Sequence, residues 1–301
     1  MRSDEKMTFE RLANWKRSFQ SAFTLLELLV VIAIMGIIAA LAVPAIKNLG
    51  KSSANVSATR QLLDDIARAR QLAMSRRATV YMVFVPTNFW LIPGFDINNY
   101  TPAQRTVLTN LVASELTGYT FVAYGSVGDQ PGRHQWHYFA PWQSLPEGSF
   151  IPAQKFQPNA YFSVSAWAND YSAEIQGQNW KPGMTQIYAF TNFFVAFPTE
   201  DSTNLLSLPC IAFDSFGHLI SETPDGSSFY HAYIPLAQGN VSYPMDGTTK
   251  SPIIPSGGVT SGDITENPPG NSGIGNNNLS YNVIDVDPLT GRATLQYHKL
   301  P

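Results

Sequence analysis

A single carboxylate, Glu27, stands in an otherwise uncharged apolar run from Phe23 to Val43. An ionised side chain in a membrane helix costs on the order of 3 kcal/mol at the bilayer centre and less near an interface. An acid at this place therefore persists where a partner or a function retains it. Phe23, preceded by Ala22, lies four residues upstream, and residues four apart share a helix face. If the chain is cut between Ala22 and Phe23, the new α-amine is a cation one turn from Glu27. The chemistry on offer is charge neutralisation. The pair can close within one chain or between axially displaced copies, and in the second case both charges are satisfied only when the copies are in register. Glu27 then acts as an assembly key.

The element that carries these residues is long enough to span a bilayer. As a helix rising about 1.5 Å per residue, Phe23 to Val43 extends roughly 32 Å. Upstream, Arg2, Lys6, Arg11, Lys16 and Arg17 outnumber Asp4, Glu5 and Glu10, so the leader is basic and stays on the cytoplasmic side while the chain after Lys47 is exported. Three readings compete: a signal anchor, a secretory signal peptide cut near the small residues Ala40 to Ala42, and a leader removed ahead of the apolar run. The run is longer than the apolar core of an ordinary signal peptide and contains an acid, which a segment destined for degradation does not need. Pro44 lacks an N–H and deprives the Ala40 carbonyl of its usual helical donor, so it marks either a loosening of the helix or the membrane exit.

The stretch "SAFTLLELLVVIAIMGIIAALAVPAI" resembles the amino-terminal methylation motif of type IV pilins and type II secretion pseudopilins. The resemblance implies that a prepilin peptidase removes residues 1–22 by cutting between Ala22 and Phe23, then methylates the Phe23 amine. It also implies that Glu27 is the registration acid and that Pro44 is where the helix loosens. Ala22 stands where the family usually has glycine and keeps the small size. The implied partners are the peptidase, other pilin or pseudopilin subunits, the inner-membrane platform of a secretion system or pilus, and the lipid bilayer. The implied location is a single pass through a bacterial inner membrane, with the amino terminus cytoplasmic before processing and the carboxy-terminal domain periplasmic or in an extracellular filament.

The expected fold is α+β and pilin-like. One long helix over 23–77, membrane-spanning to about 46, packs on an antiparallel sheet within an exported β-rich domain over 78–301. In "SATRQLLDDIARARQLAMSRRA", Leu62, Leu63, Ile66, Ala69 and Ala73 follow one helix face, and Asp64 to Arg68 is a favourable i, i+4 pair. Gly50 and Ser52-Ser53 permit a bend ahead of it. "ATVYMVFV" at Ala78 to Val85 then switches to β-branched and aromatic residues. Thr101, Pro102 and Gly118 punctuate an insertion helix. Short strands are expected at Thr120 to Tyr124, Ala160 to Val164, Gln186 to Phe197, Cys210 to Phe213, Phe229 to Ile234, Tyr281 to Val286 and Ala293 to His298, with turns at "DSFG" and "DPLTG". A Gly, Pro and Asn-rich stretch over about 243–280 predicts a long exposed loop. "ARARQLAMSRRATVYMVF" with the terminal "GRATL" hairpin is similar to H-type minor pseudopilins and FimT-like minor pilins.

Composition narrows the chemistry. A net charge of −3 gives no basic stripe for phosphates, and removing a +2 leader from it leaves −5, so no nucleic-acid partner is expected. The single cysteine, Cys210, excludes an internal disulfide framework and a cysteine-rich zinc site, and "PCIAF" reads as a buried strand. His134 and His137 are three apart without an adjacent acid to complete a ligand set. Asp285 and Asp287 flank a tight turn, which suits hairpin capping better than calcium. No motif of a nucleophile with its base, no phosphate-binding loop and no zincin motif occurs, so neither an enzyme nor a cofactor is expected. Aromatic clusters at Asn88 ("NFW"), Gln135 ("QWHYFAPW") and Ser165 ("SAWANDY") are core candidates, with a binding surface for sugar or protein as the alternative. That surface would make the chain a membrane-anchored binding module, an adhesin or cargo-recognition subunit.

Overall fold

The computed structural model describes residues 25–130, 132–156, 161–163, 186–220, 231–255, 265–267 and 282–296, without the side chains of 39–53, 154, 161–163, 186–188 and 265–267. The fold is α+β with antiparallel sheets. The chain divides into two compact units, Met1–Leu49 and Gly50–Pro301.

Helix α1 spans Leu25–Arg76. In the first unit its apolar side chains from Leu25 to Ile38 are exposed on every side of the helix, Leu25 by 82% and Ile37 by 63%. Among the described residues no helix is long and apolar enough to cross a membrane. The span expected from Phe23 to about residue 46 extends past the described side chains at both ends. Pro44 and Gly50 both fall inside α1, and helix is assigned through the expected bend at Ser52-Ser53.

In the second unit, Ala58, Leu62, Ile66, Ala69 and Ala73 of α1 are fully buried, the stripe that three- and four-residue spacing produces. Leu63 packs at its margin. The expected Asp64–Arg68 pair does not form. Instead the Arg68 guanidinium lies 5.4 Å from the Phe121 ring centre, where a desolvated aromatic face competes with an exposed carboxylate worth a few tenths of a kcal/mol.

The stripe faces a sheet of β1 (Val80–Phe84), β2 (Gly118–Tyr124), β3 (Trp136–Tyr138), β4 (Thr191–Ala196), β5 (Leu205–Phe213) and β6 (Leu219–Ile220). The order is β6-β5-β1-β2-β3, with β4 also on β5 and the short strand Gln143–Ser144 on β2. Alternation sends Val80, Met82 and Phe84 toward α1 and Val83 with Val85 toward the opposite core. That second core is roofed by α2 (Pro102–Val112) and by Phe89, Trp90 and Tyr100. Because both faces are covered, β2 is buried from Gly118 to Ala123 and lacks the apolar-polar alternation of a half-exposed strand. β5 begins five residues earlier than expected. Its Pro209 pairs Asn192 of β4 but lies beyond the β1 ladder, which ends with Val83 opposite Cys210, so the missing donor disturbs one ladder at most.

A second sheet runs β9-β8-β7 and ends on the short strand Ser149–Phe150, where β7 is Ala232–Gln238, β8 Asn282–Val286 and β9 Ala293–Gln296. Its Ile234, Leu236, Ile284 and Val286 join the α1 core. The stretch expected as a loop from 243 to 280 has order where it is described: Asn240–Ser242 pairs with Thr265–Asn267, and Met245 bridges Pro252. Tyr243 and Ile254 close over the second core, which composition does not reveal because a few apolar side chains anchor a mostly polar segment.

The insertion helix is capped as its sequence predicts. The Thr101 hydroxyl accepts from the Gln104 N–H, the Gln104 side chain accepts from the Thr101 N–H, and Pro102 occupies the first turn. The helix ends at Val112 rather than near Gly118, however. Gly118 instead opens β2, where a Cβ would stand 2.7 Å from the Ser114 carbonyl oxygen.

Candidate functional site

Of the residues expected at the processing and assembly site, Ala22 and Phe23 lie outside the described residues. Glu27 occupies the first turn of α1 and is exposed. A carboxylate there complements the partial positive charge of the helix amino terminus. The neighbouring Leu25, Leu26, Leu28 and Leu29 are also exposed. Pro44 is helical, with its side chain outside the described set.

Within the second unit a buried polar cluster ties α1 to the sheet. The Tyr119 hydroxyl donates to Asp65 Oδ2 at 2.5 Å and accepts from Gln61 Nε2 at 2.8 Å. Gln61 also donates to the Ser144 carbonyl at 3.1 Å. Burial, followed by the hydrogen bond to Asp65, pushes the Tyr119 phenol well above its usual range. Asn282 of β8 donates to Thr59 at 2.9 Å, and Thr59 donates to the Asn55 carbonyl at 2.7 Å. These bonds fix the helix against both sheets.

A cleft of about 640 Å3 opens between α2, the chain leaving β3 and the turn between β4 and β5. Val107, Asn110, Leu111 and Ser114 form one wall. Tyr138, Pro141 and Trp142 form the floor, and Pro198, Thr199, Glu200 and Asp201 the far wall. The aromatic rings are locked from behind: Tyr138 donates to the Ala196 carbonyl, and Trp142 Nε1 donates to the Pro198 carbonyl at 2.9 Å. The Thr199 hydroxyl donates to Asp201 and holds its carboxyl below the ordinary range. "QWHYFAPW", expected as core with a binding surface as the alternative, packs Trp136, Tyr138 and Trp142 against the second core and also lines the cleft with Tyr138 and Trp142, beside α2 and Glu200. Neither of those partners carries a sequence signal for the site, because the meeting is made by the β4–β5 turn. The "NFW" cluster is core, with Phe89 and Trp90 buried. "SAWANDY" lies outside the described residues.

The remaining candidates take local partners. His137 Nε2 meets Asp129 at 2.9 Å, and His134 packs on the Tyr124 ring. Asp287 accepts from the Thr290 and Leu289 N–H groups and from the Thr290 hydroxyl, the hairpin-capping role. The Thr290 N–H is the main cause of its lowered carboxyl pKa. Asp285 instead contacts His231 at 2.6 Å and accepts from Gln296 at 3.0 Å. Among the described residues no group of three or more histidines, cysteines and acids is placed to hold a metal ion. Cys210 is buried in β5.

Two ionisable side chains are buried where sequence gave no sign of it. Glu115, after α2, is 1% exposed and receives the Asn88 N–H at 3.1 Å. Desolvation pushes its carboxyl up to about 9. Lys155 is 3% exposed with its ammonium 4.7 Å from the Phe190 ring centre, and burial lowers it to about 7.

None of the curated proteins and none of the solved structures matches the chain. Residues 17–43 match the family model for the prokaryotic N-terminal methylation motif, and by that match the chain carries the amino-terminal signature of type IV pilin and pseudopilin precursors.

Proposed function

We propose that this chain is a structural subunit of a pilin-like filament, a type II secretion pseudopilus or a type IV pilus-like fibre, and acts without catalysis. Prepilin peptidase cuts between Ala22 and Phe23 and methylates the new amine. The apolar helix then rests in the bacterial inner membrane, with the rest of the chain exported, until it packs into the filament core. The observation that carries this reading is the position of Glu27, four residues after Phe23 inside the matched motif. Exposed apolar side chains from Leu25 to Ile38 support it, since a surface apolar all round needs lipid or neighbouring helices. Lipid is as apolar as those side chains, so packing and charge register supply the selectivity. Pro44 loosens the helix during extraction.

Glu27→Gln tests the registration role. The variant is expected to insert and be cut normally but to be absent from sheared filaments, as read by immunoblot of membrane and filament fractions; incorporation at the wild-type level would contradict it. The aromatic cleft supports a second, compatible reading in which the exported unit also recognises a partner, as an adhesin or cargo-binding subunit does.

A further inference from the structure

None of the residues lining the cleft beneath α2 belongs to the amino-terminal segment, and its hydrogen-bonding inventory specifies what it can take. Its volume of about 640 Å3 falls within the range of ligand sites. The polar tips of both floor rings are engaged by backbone carbonyls. Thr199 donates to Asp201 and accepts from Gln104 at 3.4 Å, while Ser114 accepts from Ser144 at 3.0 Å. Glu200 spends one oxygen on the Tyr138 N–H at 3.2 Å. Ring surfaces, apolar side chains and the exposed carboxylates of Glu200 and Asp201 are what the cleft presents to an incoming group. Among the described residues no lysine, arginine or histidine lines it.

Such a wall is rich in acceptors, poor in donors and negative. It repels anions and offers a neutral sugar few donors, the Asn110 amide and the Ser114 hydroxyl being the main ones. A guanidinium meets both requirements, since it carries only donors and stacks its plane on aromatic faces. We propose that the cleft is a docking site for an arginine-bearing segment of a partner polypeptide, with the guanidinium between the Tyr138 and Trp142 floor and the Glu200 and Asp201 rim. The cleft is larger than one side chain fills, so apolar residues flanking the arginine contact Val107, Leu111 and Pro141. Lysine fits less well because a compact ammonium cannot stack.

The test uses the full chain in detergent micelles and a dye-labelled seven-residue peptide whose central arginine is flanked by leucine and proline. Counterparts carry glutamine or glutamate at the centre. Fluorescence anisotropy is expected to show saturable binding of the arginine peptide, at least tenfold weaker binding of the glutamine peptide, and none of the glutamate peptide. Binding should weaken as salt screens the rim. The double substitution Glu200→Gln with Asp201→Asn, at exposed positions, should keep the thermal midpoint and lower affinity at least tenfold. Trp142→Leu should also lower it, as an independent probe of the floor. Equal binding of the arginine and glutamine peptides, no saturable binding, or indifference to the double substitution would overturn the assignment. So would preferential binding of a neutral oligosaccharide such as maltohexaose. Because neither the leader nor Glu27 takes part, these outcomes are distinct from failure of the assembly reading.

Discussion

At the scale of single residues the chain uses charge in two different ways. Glu27 is legible because an acid in a long apolar run is anomalous wherever it occurs, and its spacing from Phe23 names a partner. Glu115 and Lys155 are illegible, because burial of an ionisable side chain is decided by which elements close over it. Both make stability depend on pH. The Glu115 carboxyl is raised from 4.5 to about 9, so between those values the folded chain holds a proton that the unfolded chain has released, and stability falls as pH rises. The Lys155 ammonium is lowered from 10.5 to about 7, so above that value the unfolded chain binds the extra proton and stability rises with pH. Each slope approaches about 1.4 kcal/mol per pH unit. The two oppose each other from about 7 to 9, leaving a net fall below that interval and a net rise above it. Glu115→Gln should flatten the fall between about pH 5 and 7, and Lys155→Met should flatten the alkaline rise, both read from urea midpoints. Unchanged slopes would remove either group from this role.

At the scale of elements, the periodicity of "SATRQLLDDIARARQLAMSRRA" identifies the buried face of α1 almost residue for residue, since helical spacing is local information. What the helix packs against is not local. Tyr119 and Asp65 are 54 positions apart, and only the sheet's register brings the phenol to the helix. Tyr119→Phe should cost about 1–3 kcal/mol by leaving the Asp65 carboxylate short of a donor; a change within error would show that water replaces the hydroxyl. The turns "DSFG" and "DPLTG" are legible from Asp and Gly, yet their contact with each other is not. Gly217 and Gly291, with φ of 85° and 61°, meet beside Arg70, whose Nε donates to the Gly217 carbonyl at 3.2 Å. A Cβ on Gly291 would stand 2.0 Å from that carbonyl oxygen. Gly291→Ala should therefore destabilise by about 1–3 kcal/mol or more through strain and displacement of the neighbouring turn, whereas Gly128→Ala strains only its own backbone, because a Cβ at that position has nothing within 4 Å. Equal effects would contradict the close approach. The premature end of α2 has the same origin: Gly118 reads as a helix stop, but its actual constraint is the Ser114 backbone across a tight turn.

At the scale of the whole molecule, the sequence yields the division of labour more readily than the architecture. An apolar amino-terminal segment and a β-rich remainder are distinguishable by composition alone, and residues 17–43 carry a recognisable processing signature. The two-faced sheet and the aromatic cleft depend on contacts between segments far apart in the chain, so no window of sequence displays them. Registration through Glu27 requires proteolysis that sets an α-amine four residues from it. Amino-terminal sequencing combined with mass analysis of the chain recovered from its native membrane tests this most directly. A mature chain that begins with N-methylated Phe23 is the predicted result, and one that begins at Met1, or at Val43 beyond the apolar run, would contradict it.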